Sequence, residues 1–547
     1  MCQGNSISRI HTPACLFTHL FVHTRKPPEC SATNLLVLLQ SISSRSVMIS
    51  KVRVAVSGLV GSWSNKHNDQ PRPEKALSDV GAQTPRAPCR PAFLGLSQEE
   101  LQASGDHAVR TVLCQEGPGD LQWGTGYAEV VNAGKSQHNE DQACCEFVTV
   151  EKRDGKLSDH HKEWPSTDRT AKPEPQTVHK VKNESELHFY YWGLFDGHAG
   201  CGCAMVASRL LHLHICDQLR DLVDILQQSA AAPICLELDA RAEQTAGAEN
   251  QETSKPPPER IIRFHLEKQV FSESLVIGAL ENAFKEMDEQ IARERTIYKI
   301  EGGCCALAAV YLMGKLYVAN AGDSRAIIIQ QRKTIPMSQE FTPETERQRL
   351  QFLGFLKPEL LGNEFTYLQF PRRIQQNELG KRMLYRDHTM TGWAYKTIDV
   401  GDMKFPLIYG EGKKARVMAT IGVTRGLGDH DLKVFNSNIY IKPFLSCTPD
   451  VRVYDLTDCE HSADDVMVMG TDGLWDVISD TEVADVVQRV FSVHGPDKSN
   501  RYNLVAQELV LHTRGVLKEN SWRLPNGGLG SGDDISVFVI PLAGHST

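Results

Sequence analysis

From residue 126 onward, apolar positions recur along the chain with two distinct periods. Short runs at 126–131, 189–194, 306–312, 315–320, 326–329 and 466–469 are apolar and bounded by polar or glycine-containing turns, which predicts strands. Between them, Ala204, Ala207, Leu211, Ile215, Leu219, Leu222 and Leu226 keep helical spacing. So do Leu275, Ala279, Leu280, Ala283, Phe284, Met287 and Ile291. Each series predicts an amphipathic helix that lays one face on a sheet. The Met313-Gly314 pair between two strand-like runs predicts a tight hairpin and therefore antiparallel pairing. His212 and His214, inside the first helical series, fit packing or surface roles better than metal ligation.

Other segments lack either period. Residues 1–90 are rich in Ser, His, Pro and basic side chains and fit a disordered extension, with order expected from Pro91 to residue 542. Within the extension, Ile49, Val52, Val56, Leu59, Val60 and Trp63 fall on one helical face, so 48–63 is expected to form an amphipathic helix able to make weak membrane-surface contact, or a short helix docking on the domain. Residues 151–187 and 230–260 are expected to be loop insertions, the second carrying Pro256-Pro257-Pro258. The stretch 341–417 differs: Thr342-Pro343-Glu344-Thr345 has the form of a helix start, and Phe352, Leu353, Phe355 and Leu356 supply apolar mass to pack. It therefore predicts a folded insertion.

Composition narrows the class. With 547 residues, 41% of them hydrophobic, the chain has enough apolar mass for a large core. A net charge of -9 gives no electrostatic case for nucleic-acid binding. The 15 cysteines show no repeated Cys-x-x-Cys spacing, and the adjacent pairs Cys144-Cys145 and Cys304-Cys305 lie in strand-like runs where neighbours point to opposite faces. Reduced thiols in the cytoplasm or nucleus are expected, with no secretion. No apolar run approaches the roughly 18 residues of a membrane span.

Acidic groups sit at the ends of the strand-like segments. Asn139-Glu140-Asp141 precedes one, Phe195-Asp196-Gly197-His198 ends another, and Gly322-Asp323-Ser324-Arg325 joins two more. Asp472-Gly473-Leu474-Trp475-Asp476 follows the 466–469 run, and Gly532-Asp533-Asp534 precedes the last strand. One Asp-Gly after a strand is an ordinary turn. Five acidic tips in one chain point instead to carboxylates gathered for hard divalent cations, Mg²⁺ or Mn²⁺, rather than for zinc.

In this order the motifs resemble the metal-dependent protein phosphatases, the protein phosphatase 2C or PPM family. They resemble most closely its H and J members, which share runs such as Ala321-Gly322-Asp323-Ser324-Arg325-Ala326-Ile327 and 420–429. The resemblance implies an α+β fold, two packed antiparallel β-sheets flanked by helix layers, with a flap insertion beside the active site. It implies two Mg²⁺ or Mn²⁺ ions: Asp196 bridging both, the Gly197 carbonyl on one, Asp472 and Asp533 on the other, and Glu140 and Asp141 acting through water. Asp323 and Asp476 match a weaker third metal site. Asp476 has an alternative role as a cap for a helix near Ser479, and Asp323 one in its own turn. His198 is the candidate general acid for the leaving serine or threonine oxygen, with orientation of a water molecule as its alternative.

The pattern departs from the family at one point. Where many members carry a phosphate-gripping arginine, this chain has Ser136 preceded by Lys135, and a lysine cannot copy a guanidinium fork. The H and J members share this pair, and they resemble this chain also in starting near Met48, so residues 1–47 are expected to be an extension. The expected activity is hydrolysis of phosphoserine and phosphothreonine in protein substrates; the alternative is a catalytically weak pseudophosphatase that scaffolds phosphoproteins. No Cys-x5-Arg cradle of the cysteine phosphatases is expected. Arg372, Arg373, Lys381 and Arg382 form a basic cluster in the flap, expected either to dock an acidic or phosphorylated partner or to be a solvated charged face.

Overall fold

The computed structural model describes residues 91–94, 112–114, 121–132, 139–152, 187–228, 268–518 and 521–543. Segment 1–90 with its expected 48–63 helix, Lys135 and Ser136, and most of the 151–187 and 230–260 loops lie outside the described residues. Numbered in chain order, the first sheet runs β1 (Leu113–Cys114), β2 (Gly126–Val130), β11 (Ile535–Pro541), β10 (Val466–Gly470), β7 (Arg325–Gln330) and β8 (Lys333–Pro336). The second runs β9 (Asp450–Asp455), β6 (Lys315–Ala321), β5 (Gly303–Leu312), β4 (Leu187–His198) and β3 (Gln142–Val150), with Leu427–Gly428 paired to β5. Every pairing in the two sheets is antiparallel. Met313 and Gly314, at φ 51° and 82°, turn β5 into β6 as the hairpin signal predicted.

Strand alternation builds the layers. On β10, Met467 and Met469 face the second sheet and meet Trp192, Leu194, Leu307, Ala309 and Phe538 in the inter-sheet core. Val466 and Val468 face the other way, onto helices α4 (Asp480–Val493) and α5 (Arg501–Arg514). On β4, Tyr191 points outward instead, its ring 5.7 Å from His212 of α1 (Gly202–Arg220). Helix α2 (Ser272–Tyr298) packs on α1, tied by His214 Nε2 to Gln290 Oε1 at 2.7 Å. Both histidines therefore serve packing, and burial, with a smaller push from His214, lowers His212 to about 4. The architecture is the expected α+β sandwich of helix, sheet, sheet and helix.

Two helical expectations need correction. The series 204–226 is not one helix: α1 stops at Arg220, and a separate turn, Val223–Gln227, follows. The one-residue offset buries Val223 and Leu226 and leaves Leu222 half-exposed. In the insertion, α3 (Arg347–Leu356) starts later than expected, because Thr342–Glu346 is a single turn closed by Glu346 N to Thr342 O at 3.0 Å. Its apolar mass also lies differently. Leu350 is buried, whereas Phe352, Phe355 and Leu356 are 50%, 48% and 59% exposed.

The insertion nevertheless has its own core: Leu350, Leu361, Phe365, Leu407, Ile408, Ala415 and Val417, extended by Val423, Ile441, Phe444 and Leu445 beyond the expected end. Cys305 of β5 joins this cluster, so the flap is seated on the same strand that pairs with β4. Glu346 anchors its base by ion pairs with Arg425 at 2.7 Å and Arg349 at 2.6 Å.

Candidate active site

Antiparallel pairing brings the acidic tips together. Because β3 runs against β4 with Gln142 opposite Phe195, the Glu140-Asp141 pair that precedes β3 lies beside the end of β4. Likewise Gly470 opposes Val537, which sets Asp533 and Asp534 beside Thr471 and Asp472. Asp196 and His198 keep the parity of Trp192 and Leu194 and so face the other sheet, from whose edge Asp472 emerges. Asp472 N lies 3.5 Å from Asp196 Oδ2, closing the gap between the sheets.

Asp196, Asp323 and Asp472 each present a carboxylate oxygen within 4.8 Å of the other two. Burial and mutual repulsion make the charged forms of such a group costly. Burial first, then the charges of Asp472, Asp141, Asp323 and Asp533, pushes the Asp196 carboxyl well above its ordinary range. Asp141 is raised by burial and Asp534, against the hydrogen bond from Thr471. Asp323 is raised by burial and by Asp476, with the Cys305 thiol donating to its Oδ1 at 3.1 Å. An all-oxygen set whose members repel one another fits a hard divalent ion.

The neighbouring groups are tightly placed. Gly197 has no side chain because a Cβ there would collide with the Glu140 carbonyl, and Glu140 Oε1 in turn accepts from Gly200 N at 3.0 Å. Thr471 Oγ1 donates to Asp141 Oδ2 at 2.8 Å. Asp534 receives Asn132 N at 2.7 Å and Glu140 N at 3.3 Å, holding the start of β3 in place, and burial, against these hydrogen bonds and aided by the charge of Asp533, pushes it up to about 6. Asp533 sits at the edge of the group, its carbonyl accepting from Arg514 Nη2 at 2.6 Å.

His198 is held by a partner that the motif reading missed: Asp429 Oδ2 is 2.6 Å from His198 Nε2. Burial alone would lower the imidazole, but the Asp429 hydrogen bond and charge, with Asp323 and Glu140, raise it above its usual value. Asp429 is itself set by Gly428 N donating to Asp288 Oδ1 of α2 at 2.9 Å. The Leu-Gly-Asp string that holds it shows no period of its own, and its target lies 231 residues away. Asp534 and Thr471 were missed for a related reason: each adjoins an expected ligand and looks like a turn residue.

The remaining expected residues fall elsewhere. Asp323, assigned by the resemblance to a weaker third site, stands in the tightest carboxylate group. Asp476 does not cap the following helix, since Ser479 does so through a reciprocal bond set with Glu482. It is exposed and pairs with Lys413 of the flap. In the basic cluster, Arg372 is engaged by Glu378 at 2.5 Å, Arg373 lies over the Phe405 ring at 4.2 Å, and Arg382 over Tyr395 at 5.8 Å. Lys381 lies exposed beside them. The Cys-x5-Arg spacing, contrary to expectation, occurs at Cys203–Arg209 and Cys235–Arg241. The first is helical, with Cys203 buried and Arg209 exposed, and forms no phosphate cradle. The second lies outside the described residues and carries Glu237 and Asp239 between its Cys and Arg, charges that would repel phosphate.

A sandwich of two antiparallel sheets gathers carboxylates at one edge in a group that could hold a metal ion, and comparison with known proteins gives the family. The family model described as Protein phosphatase 2C matches residues 237–357 and 408–520. The chain is 59% identical over 469 residues to Protein phosphatase 1H of Xenopus tropicalis, covering 83% of this chain and 91% of that one. It is 57% identical over 482 residues to Protein phosphatase 1J of Rattus norvegicus, covering 87% and 89%. A solved serine-threonine phosphatase 2C from Toxoplasma gondii aligns over 79% of this chain and 99% of its own at 16% identity, with a TM-score of 0.38. The chain belongs to the protein phosphatase 2C family, and its sequence relatives include the H and J proteins.

Proposed function

We propose that the protein is a metal-dependent serine/threonine phosphatase, acting on phosphoserine and phosphothreonine of protein substrates at a site holding two Mg²⁺ or Mn²⁺ ions. The observation that carries this reading is the group Asp196, Asp323 and Asp472, within 4.8 Å of one another and beside a carboxylate-held histidine. Asp196, the Gly197 carbonyl, Asp472, Asp533 and Asp323 would hold the ions, with Glu140 and Asp141 ordering the surrounding water. The ions would supply an acidified water nucleophile and neutralise charge on the phosphoryl oxygens.

The chain's own residues do the rest. Asp429 fixes one face of the His198 imidazole and favours its protonated form, so that His198 can deliver a proton to the departing alkoxide of serine or threonine. Thr471 and Asp534 hold Asp141 and the Glu140 amide rigid, which keeps the acidic tips in register as substrate enters. The flap, with Arg372, Arg373, Lys381 and Arg382, would contact protein substrates, and Lys135 with Ser136 would take the place of the phosphate-binding arginine. The cysteine spacing, with no repeated Cys-x-x-Cys, favours a cytoplasmic or nuclear setting. Among the described residues no helix is long and apolar enough to cross a membrane.

The direct experiment is release of phosphate from a phosphothreonine peptide with Mn²⁺, with EDTA, and with Mn²⁺ restored. Turnover that disappears and returns supports the reading. Binding of the phosphopeptide without turnover in any metal would replace it with the scaffold alternative.

A further inference from the structure

The loop 456–465 crosses from the second sheet to the first at the end opposite the catalytic centre. Strand β7 runs from beside Asp323 out to Gln330, and β10 runs back from Val466 toward Asp472, so Gln330 and this loop share the far end. The loop carries Cys459, which is exposed, whereas the other described cysteines are buried or half-buried. Three side chains meet its sulfur. The Gln330 amide donates to Sγ at 3.3 Å, and the Tyr454 hydroxyl and His461 Nε2 each lie 3.8 Å from it. Burial first, then the contact with Cys459, pushes the Tyr454 phenol up to about 12, so at neutral pH it keeps its proton and can donate. The His461 side chain is only 4% exposed, and its Nδ1 makes no hydrogen bond but faces Asp465 Oδ2 at 3.7 Å. Asp465 is buried and fixed, accepting from Gln331 N at 3.2 Å and from Ser462 N at 2.9 Å. A buried imidazole is thus directed at an exposed thiol, with a carboxylate behind it and two further polar groups at the sulfur. Such a set has the form of an activated nucleophile: a base within reach, a third group that orients the base, and donors for the charge that develops.

We propose that Cys459 is a peroxide-reactive thiol, oxidised by hydrogen peroxide to a sulfenic acid with His461 as its base. His461 Nε2 takes the thiol proton while the sulfur attacks one peroxide oxygen. The sulfur–oxygen bond forms, the oxygen–oxygen bond breaks, and the departing hydroxide receives the proton held by His461 and leaves as water. Sulfur is oxidised by two electrons and the peroxide is reduced by two, which gives one sulfenic acid and one water. Gln330 and Tyr454 stabilise the negative charge on sulfur as its proton leaves, and Asp465 keeps the imidazole turned toward Cys459. None of these residues belongs to the phosphate chemistry proposed above, and the inference does not rest on that reading.

The test treats the full chain with hydrogen peroxide in the presence of dimedone, which traps sulfenic acids, and reads the adduct at each cysteine by peptide mass spectrometry. Cys459 in the folded chain should be labelled at least about tenfold faster than Cys459 in the same chain unfolded in urea, because unfolding separates the sulfur from its base. His461→Asn should bring the folded rate to within about twofold of the unfolded one. Gln330→Met, which removes the amide donor at nearly the same size, should slow labelling about two- to tenfold. Labelling of half-buried Cys447 should be the same in wild type and in both variants. A folded Cys459 that reacts no faster than the unfolded one overturns the proposal, and so does an unchanged rate in His461→Asn at an unchanged melting temperature. If His461→Asn melts lower than wild type, Gln330→Met decides: slower labelling supports the proposal and an unchanged rate overturns it.

Discussion

At the scale of single residues, function rests on charges that are costly where they stand. A free carboxyl ionises near pH 4, whereas Asp196 in the metal-free fold is raised by burial and by Asp472, Asp141, Asp323 and Asp533. Its ionised form at neutral pH therefore opposes folding. Asp196→Asn should lower kcat by at least about a hundredfold in Mn²⁺, yet raise the melting temperature in EDTA by about 1–3 °C, read by calorimetry. A variant that kept a tenth of wild-type turnover would refute its place at the centre. Asp429→Asn has a different signature. Asp429 raises the His198 imidazole, so its neutralisation should move the alkaline limb of the kcat profile to lower pH and cut phosphopeptide turnover about 10- to 100-fold. Hydrolysis of p-nitrophenyl phosphate, whose leaving group needs no proton, should change little. Asp196, Asp472 and His198 were legible as an Asp-Gly-x pattern at strand ends, but Asp429 was not: only the packed fold tells that a loop aspartate faces a particular imidazole.

At the scale of elements, the site depends on a helix that carries none of the expected ligands. Asp288 on α2 binds Gly428 N, His430 at 3.1 Å and Lys442 at 2.6 Å, fixing the loop that presents Asp429. Burial favours its neutral form, but the His430 and Lys442 contacts outweigh that and hold its carboxyl below the usual range. Its stabilisation is therefore fully present above pH 4 and is lost as the pH falls through the lowered folded value. Asp288→Asn should cost about 1–3 kcal/mol at pH 7, and the gap from wild type in urea midpoint should narrow as the pH is brought below about 4. Periodicity foretold α2 from Leu275 to Ile291, because apolar spacing reports which face is buried. It was blind to the Asp288 contacts and to the register slip at Leu222, which depend on what lies opposite. The start of α3 was misplaced for a similar reason: Thr342 and Thr345 satisfy one another in a turn that closes before the helix begins.

At the scale of the whole molecule, the proposed function assigns chemistry to the two sheets and recognition to the flap. Replacing Arg372, Arg373, Lys381 and Arg382 together by alanine should weaken turnover of a phosphoprotein while leaving p-nitrophenyl phosphate hydrolysis nearly intact. Equal loss on both substrates would show that the flap shapes the catalytic centre instead. The structure qualifies the expectation, since Arg372 already serves Glu378 and Arg373 covers Phe405, leaving less free charge than the sequence implied. The layered sandwich could not be derived from periodicity, which distinguishes strands from helices but not which strands pair. The family resemblance supplied that arrangement.

The parity of β4 has a consequence for how this chain tolerates change in length. Trp192, Leu194, Asp196 and His198 share a face only because each lies two residues from the next. One inserted residue between 192 and 196 would turn Asp196 and His198 toward α1 and bring Phe195 or its neighbours to the acidic cluster, whereas the ends of β4 and β3 would shift by only about 3.3 Å. Chain length is thus quantised along this strand: an odd change exchanges the catalytic face for the packing face, an even change preserves it at the expense of reach, and insertions are absorbed instead by the hairpins and loops at the rim.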